Sequence, residues 1–535
     1  MNIWWAMNTD EIKKITKVLT DDEALNKYST DASIFSVRPK AVAMPSSKEE
    51  LSNLINWARR TTEAGQKTSL SPRNAGSCMS GGSLTEDVMV DMTDGFSWVD
   101  DVEAGTKTVW VGSGTLYRDL DAVLAPEKLL FAPLTSSKDF CGIGGMIGNN
   151  ASGEKSIRFG ATIDNVRSVK VILQDGVEYE FGPLNAAQLQ AKLQLQTDEG
   201  NIYRSIVKLL EDNWELIWRA RPNVRKNSAG YQLWRIWDRD KTEFNLAKLF
   251  VGSQGTLGFI TSAELMVVPS PQYLRMLVVP INNLAHLAKA VKCIVAHRPE
   301  GLETYDKHTY ALAKEHMPEQ AVLAHIAEGQ EMVLFAQFSE KTKDETDHAE
   351  NVCEVALKNL GYEVITIKNE SEAEAHWAIR RASFKLLMDH SKGARAVPFI
   401  EDTIVPIQHY GEFVAALEAI LADYDMTYTF AGHIGDGSIR LIPLVNMEDR
   451  SAPDKIFNLA RRVYDLVFAF GGSMSVDHND GLIRTIFLER MYGSDVVALF
   501  NKTKRIFDPL NIFNPGKKVG GSEEFSRSHM IRTNS

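Results

Sequence analysis

The chain has 535 residues, 44% of them hydrophobic and 24% charged, which allows two or three domains with a sizeable core. Its formal net charge of −11 argues against nucleic acid or an anionic membrane as the main partner. No run of about 18 apolar residues occurs, so no integral membrane segment is expected; the opening MNIWWAMNTDEIKK lacks the pattern of a signal peptide, which points to a cytoplasmic protein.

Ser46-Ser47-Lys48-Glu49 has capping-box spacing, and Leu51, Leu54, Ile55 and Ala58 follow at helical period, predicting a helix. Residues 88–92 read as a strand after the loop SPRNAGSCMSGG. Residues 108–111 read as another, leading through Gly112-Ser113-Gly114 into a helix from Thr115. Two β-like runs, 169–174 and 177–181, flank Asp175-Gly176, a hairpin signal. Residues 201–218 are helical in pattern, with their tryptophans as packing residues. LFVGSQGTLGFI, residues 249–260, reads as strand, glycine turn and strand. Pro269-Ser270-Pro271 then breaks the pattern and marks a domain boundary. Beyond it, helices are expected around 284–297, 342–360, 407–422 and 455–470, with strands at 332–338 and 362–368, as an α+β layer with helices on one side. The last helix, 487–506, ends at Asp508-Pro509, and the polar tail after Val519 is expected to be disordered.

Six glycines fall within residues 142–160. Such density lets backbone N–H groups approach a ligand closely, and an extended anion such as a pyrophosphate suits that surface. The Rossmann fingerprint is missing: its third glycine would fall at Ile147 after Gly142 and Gly144, and at Tyr117 after Gly112 and Gly114. Glycine-rich loops lie instead at 73–82, 142–153 and 252–258, a dispersal suited to a long ligand crossing several turns. Cys78, Cys141, Cys293 and Cys353 include no CxxC pair, so a disulfide framework, a zinc ribbon and a cysteine-ligated iron–sulfur cluster are not expected.

Pro72-Arg73-Asn74-Ala75-Gly76-Ser77 resembles the PRGGGTS loop of the vanillyl-alcohol-oxidase type FAD-binding domain. CGIGGMIGNNASG followed by RFGATIDNV resembles that family's TIGGMIANNASG and RYGSTRDNV segments. Lys226-Asn227-Ser228-Ala229-Gly230-Tyr231 and Gly252-Ser253-Gln254-Gly255-Thr256-Leu257-Gly258 look like its next two blocks, and Tyr28, Asp31 and Pro39 also fit. The resemblance runs in order from about residue 25 to 520. It implies an α+β fold: an N-terminal helix at 1–24, a two-subdomain FAD-binding PCMH-type domain at 25–270, an α+β, ferredoxin-like substrate cap domain at 271–485, and a C-terminal helical segment at 486–520 returning to the FAD domain, with a disordered tail at 521–535. The implied cofactor contacts are Pro72, Arg73, Asn74, Ala75, Gly76, Ser77, Pro133, Gly142, Gly144, Gly145, Asn149, Ser152, Gly153, Gly160, Gly255, Gly258, Ile260 and Asn514. Some members attach FAD through a histidine in the first loop; the matching position is Ser77, so FAD is expected to be non-covalent. Asn74 and Ala75 replace two loop glycines, and asparagine tolerates left-handed backbone better than most residues.

Two later clusters, GHIGDGSIR at 432–440 and SMSVDHNDG at 473–481, resemble the GHxGDGNxH and SxEHGxG motifs of FAD-linked D-2-hydroxyacid dehydrogenases. DHNDGLIRTIFLERMYG is closest to the flavin part of larger flavin/iron–sulfur members. In that chemistry the flavin takes a hydride and a neutral imidazole takes the hydroxyl proton, so His478, matching the EHG histidine, is the candidate base. The WxxR carboxylate-binding segment matches Trp377-Ala378-Ile379-Arg380, which makes Arg380 the substrate cation, although sequence does not separate it from Arg381. The lysine used by hydroxyglutarate enzymes corresponds to Ile400, which argues against 2-hydroxyglutarate. In metal-using members His433 would join residues at the positions of Arg440 and Asp477; arginine cannot ligate, so no metal is expected unless a degenerate His433–Asp477 site persists. Arg440 is expected to supply the positive charge instead.

The implied activity is FAD-dependent oxidation of a D-lactate-like 2-hydroxy acid to the 2-oxo acid, with His433 and Asp477 beside the substrate and a separate electron acceptor (protein, quinone or oxygen). The alternatives are another reaction on the same fold, such as that of the alkyl-glycerone-phosphate synthases, or an FAD-holding protein with reduced or lost turnover.

Overall fold

A computed structural model describes residues 9–532 apart from 104, 319, 321, 324, 325, 327, 391–393 and 425. Three main sheets carry the architecture. The first pairs Lys17–Leu19 antiparallel with Ala41–Met44, which runs parallel to Val88–Asp91, itself parallel to Leu70–Arg73. Short parallel strands of this kind are covered on both faces, and these read VMVD and AVAM with almost every residue buried. The second sheet is antiparallel, in the order Thr108–Gly112, Phe259–Met266, Val166–Ile172, Glu178–Phe181. The third, also antiparallel, runs Ile365–Ile367, Arg275–Ile281, Met332–Phe338, Gly301–Asp306, Tyr428–Gly432, Ser438–Val445, Arg395–Ala396, with Thr403–Ile404 also pairing to Ser438–Val445.

Alternation along these strands sends side chains to two different cores. Leu277, Val279, Leu334 and Ala336 pack with helices Leu287–Ala296, Tyr410–Ala422 and Ala452–Ala469, while Met276, Val278, Val333 and Phe335 pack with Lys307–His316 and Glu370–His390. Helices therefore cover both faces, not one: Lys307–His316 and Glu370–His390 supply the second apolar stripe. Helix Glu370–His390 packs against strand Tyr428–Gly432, and residues of both, Arg380 and Thr429 among them, line the site.

Several local expectations shift. The first long helix is Lys48–Glu63, and its cap is Ser47, whose Oγ accepts from the Glu50 backbone N–H at 3.2 Å, one residue later than the predicted box. Residues 247–250 are a helical turn, started by the Asn245 side chain accepting from the Ala247 N–H; a short apolar run alone does not separate helix from buried strand. The helix predicted over 201–218 divides at Asn213, whose side-chain amide donates to the Leu209 carbonyl and competes with the ladder. The last one divides at Gly493.

The single N-terminal helix expected over 1–24 is instead helix Thr9–Lys13, the sheet-edge strand Lys17–Leu19 and the start of helix Asp22–Tyr28; residues 1–8 lie outside the described residues. Nor is the tail disordered through residue 532. Helix Glu523–Ser528 is capped by Ser522, Ser526 Oγ donates to the Leu482 carbonyl at 2.8 Å, and Met530 is buried opposite Phe35; residues 533–535 lie outside the described residues. Its polar sequence hides three anchors, Ser526, Met530 and Arg527, which pairs with Asp454 and Glu523. Among the described residues no helix is long and apolar enough to cross a membrane.

Candidate active site

One cavity of about 450 Å³ opens between the glycine-rich loops and strands Tyr428–Gly432 and Ser438–Val445 of the third sheet. Side chains knit the loops together. Asn74 Nδ2 donates to the Ser113 carbonyl at 2.7 Å, Gln254 Nε2 to Asn149 Oδ1 at 3.0 Å, and Asn514 Nδ2 to the carbonyls of Gly82 and Gln254 at 2.7 Å each. Asn74 does not adopt the left-handed backbone expected of a glycine substitute. It uses the space beside Gly142, where a β-carbon would fall 1.8 Å from Asn74 Oδ1. Gly255 has φ +68° and would strike the Pro72 ring if it carried a side chain.

This wall fits a long polar cofactor such as FAD on two observations. Gly145 lines the cavity, and a β-carbon there would meet only Asn74 Cβ at 3.7 Å, so the glycine keeps open a backbone surface. Ser113 also lines it, and its Oγ is buried without a protein partner. Of the implied cofactor contacts, Pro72, Arg73, Asn74, Ala75, Gly76, Ser77, Gly142, Gly144, Gly145, Asn149, Ser152, Gly153, Gly255, Gly258 and Ile260 line the cavity. Three do not. Gly160 ends helix Ser156–Phe159 with φ +76°, packed on Asp164, and Pro133 is buried elsewhere. Asn514 acts from behind, tying two loops together.

The opposite wall brings together the sequence-predicted chemical residues. Arg440 and Ile442 lie on strand Ser438–Val445, directly opposite Ala431 and Thr429 of Tyr428–Gly432, and His433 follows that strand. Asp477 and His478 come from the loop before helix Gly481–Arg484. The Asp402 carboxylate shapes that loop by accepting the N–H groups of Val476, Asp477 and His478 at 2.8, 3.0 and 2.9 Å and the Ser475 hydroxyl at 2.8 Å. Asn479 stands where the motif has glycine. It takes φ +65°, and its amide donates to the carbonyls of Gly148, Asn149 and Gly252, pinning this loop to the glycine-rich wall.

Arg440 sits at the centre of the cluster. Its Nη1 donates to His478 Nε2 at 2.6 Å, and its Nη2 approaches His433 Nε2 at 3.3 Å and donates to Asp477 Oδ2. Of the three positions that would hold a metal, His433 and Asp477 thus face a guanidinium supplied by the third, Arg440. Among the described residues no group of three or more His, Cys, Asp and Glu could hold a metal ion. Arg380 Nε donates to Glu303 Oε2 at 3.0 Å, and the other Glu303 oxygen meets His433 Nδ1 at 2.5 Å. Arg381 is bidentate on Glu154, 2.8 Å to each oxygen.

Two carboxylates that sequence reasoning missed hold the histidines. Glu401 meets His478 Nδ1 at 2.7 Å and Arg484 Nη2 at 2.5 Å, and Glu303 holds His433. Glu401 follows Ile400, the position matched to the lysine of the hydroxyglutarate enzymes, and that neighbour was the one available signal. Burial opposes its charge, but Arg484 and the His478 hydrogen bond outweigh it and hold the carboxyl at about 2. Burial likewise opposes ionisation of Asp477, and Lys226 and Arg440 overcome it. Glu303 goes the other way: burial outweighs Arg380 and pushes it up to about 8. Burial, with Lys226 and Arg440 nearby, holds His433 neutral, well below the usual histidine range. Ile400 is fully buried in the core and does not line the cavity, so it offers no view of the substrate.

Comparison with known proteins matches residues 39–182 to an FAD binding domain and residues 270–518 to the C-terminal domain of FAD linked oxidases. The chain is 28% identical over 502 residues to D-2-hydroxyglutarate dehydrogenase of Escherichia coli K12, covering 91% of this chain and 49% of that protein. It is 26% identical over 512 residues to D-lactate dehydrogenase of Anaerostipes hadrus, covering 94% of each. It is 25% identical over 498 residues to glycolate oxidase subunit GlcD of Bacillus subtilis, covering 92% of this chain and 91% of the subunit. It spans about half the length of the hydroxyglutarate dehydrogenases it matches. Among solved structures, 4-ethylphenol oxidase from Gulosibacter chungangensis superposes with a TM-score of 0.69 at 14% identity, covering 96% of this chain and 97% of that one. An alkyldihydroxyacetonephosphate synthase gives 0.64 at 16%, covering 95% and 85%. These likenesses show the fold, the PCMH-type FAD-binding arrangement.

Proposed function

We propose, for a chain that belongs to the FAD-linked oxidases and takes FAD as its cofactor, the oxidation of a 2-hydroxy acid to the 2-oxo acid. One observation carries the reading: His478 stands on the cavity wall between a carboxylate at one ring nitrogen and a guanidinium at the other.

Arginine only donates, so His478 Nε2 is the acceptor and Nδ1–H points to Glu401. The lone pair suited to a hydroxyl proton is therefore the one on Nε2, which Arg440 Nη1 occupies on the cavity wall. A substrate hydroxyl entering beside Arg440 takes over the Nη1 contact and passes its proton to Nε2, and the imidazolium formed is stabilised by Glu401. Bound FAD supplies the hydride acceptor. Arg440 polarises the hydroxyl oxygen from the place a metal would occupy. Arg380, with only its Nε engaged by Glu303, presents its remaining N–H groups to the carboxylate; a charge-assisted contact of this kind contributes about 1.5–3 kcal/mol.

The test is anaerobic mixing of the flavin-loaded protein with D- and L-2-hydroxy acids. At least one should bleach the flavin, and His478→Asn should keep FAD while bleaching slows by roughly 10²–10⁴-fold. Bleaching by no member of a broad panel refutes the reading.

A further inference from the structure

Arg440 fixes where the reacting end of a substrate binds, and the strand pair fixes what lies next to it. Ile442 is two residues along the same strand face, about 6.6–6.8 Å away. Thr429 is its direct cross-strand partner, and Ala431 is the partner of Arg440. All four line the cavity, as does Phe384 of helix Glu370–His390. Beyond the arginine the floor is thus one isoleucine, one threonine and one alanine, with a phenyl ring at the rim.

The cations lining the cavity are Arg73, Arg380, Arg381 and Arg440. Arg73 belongs to the first glycine-rich loop and donates to the carbonyls of Tyr28 and Thr30. Arg381 is neutralised by both oxygens of Glu154, which lines the cavity itself, and by Glu374. Arg380 and Arg440 serve the reacting end. A second carboxylate at the far end of a substrate would therefore lose its water beside Ile442 and Thr429, with no uncommitted cation among the residues lining the cavity. An apolar chain loses nothing there and gains burial.

We infer that the acid taken by this site carries an uncharged, apolar side chain of several carbons and that Ile442 selects it against a dicarboxylate. This rests on the 2-hydroxy acid reading above, but binding tests it without turnover. Calorimetry on the FAD-loaded protein compares 2-oxohexanoate with 2-oxoglutarate, the products of an apolar and an anionic substrate of similar length. The expected result is at least tenfold tighter binding of 2-oxohexanoate, with the preference narrowed or reversed in Ile442→Lys and in the rim variant Phe384→Arg, whose position is exposed enough to accept charge. Equal or tighter binding of 2-oxoglutarate by the unaltered protein overturns the inference, as does binding of neither. If 2-oxohexanoate is preferred yet neither enantiomer of 2-hydroxyhexanoate bleaches the flavin, the chemical reading fails while the specificity stands.

Discussion

Arg440 Nη1 lies 2.6 Å from His478 Nε2, and this contact settles the histidine's tautomer. A guanidinium has five donors and no acceptor, so the ring nitrogen facing it is unprotonated and the ring proton sits on Nδ1, toward Glu401. Asp477 pairs with the same guanidinium, and Glu401 holds the far side of the ring.

The first consequence concerns Glu401. Glutamine at this position can turn its amide toward Nδ1, favouring the tautomer that carries its proton on Nε2 and opposes Arg440. Glu401→Gln should slow flavin reduction by roughly 10²–10⁴-fold, close to the loss in His478→Asn. Because the two residues act as a unit, the double variant should be little slower than His478→Asn alone. Additive losses in stopped-flow traces would show that Glu401 acts elsewhere.

The second concerns metal. With a guanidinium among His433, Asp477 and His478, the protein as purified should contain no stoichiometric zinc or manganese, and chelators should leave its flavin reduction unchanged. Arg440→His removes the cation and adds an imidazole to His433 and Asp477, whose nearest atoms are 3.6 Å apart. That variant should gain divalent metal, read by elemental analysis after dialysis. One equivalent of metal in the unaltered protein would end the argument that Arg440 stands in for it.

The third follows from Glu303, whose buried carboxyl titrates near 8 against an ordinary value of 4.5. Between those values the folded protein holds a proton that the unfolded chain has released, so stability falls as pH rises through that window, at about 1.4 kcal/mol per pH unit, and levels off above it. Glu303→Gln removes the titration. Urea midpoints from pH 5 to 9 should converge with the unaltered protein's at low pH and exceed that trend at high pH; parallel curves would mean that Arg380 keeps Glu303 ionised throughout.

Much of the glycine-rich wall was legible because its signal is local. Glycines 142, 144, 145, 255 and 258 and the polar residues between them lie in two short runs, and all five glycines line the cavity. The chemical wall was legible only in part. His433, Arg440, Asp477 and His478 stand in two motifs, but the groups that orient them, Glu303 and Glu401, are 130 and 77 residues from their histidines, and no periodicity relates such pairs. Arg380 and Arg381 looked alike in sequence. Burial and partner separate them: Arg380 sits largely buried on Glu303, while Arg381 is more exposed and spent on Glu154 and Glu374. The tail misled for a related reason, since its few anchors are scattered through a polar stretch.

The fourth prediction concerns the joint between the two walls. Asn479 holds φ +65°, a left-handed conformation that a β-carbon makes costly, and its side chain offsets that cost with three donated hydrogen bonds and two accepted, from Lys518 Nζ at 2.6 Å and the Asp480 N–H at 2.7 Å. Asn479→Gly keeps the backbone easy but removes those bonds and leaves the buried Lys518 with Asp480 and the Ser228 carbonyl alone. Loss of stability by about 1–3 kcal/mol is expected. Asn479→Ala removes the same bonds and adds about 1–2 kcal/mol of left-handed strain. The melting temperatures should therefore fall in the order asparagine, glycine, alanine, and FAD should dissociate more readily from both variants, because the loops that lose their anchor are those of Gly148 and Gly252. If alanine proves as stable as glycine, the side-chain bonds and not the backbone conformation select asparagine at this position.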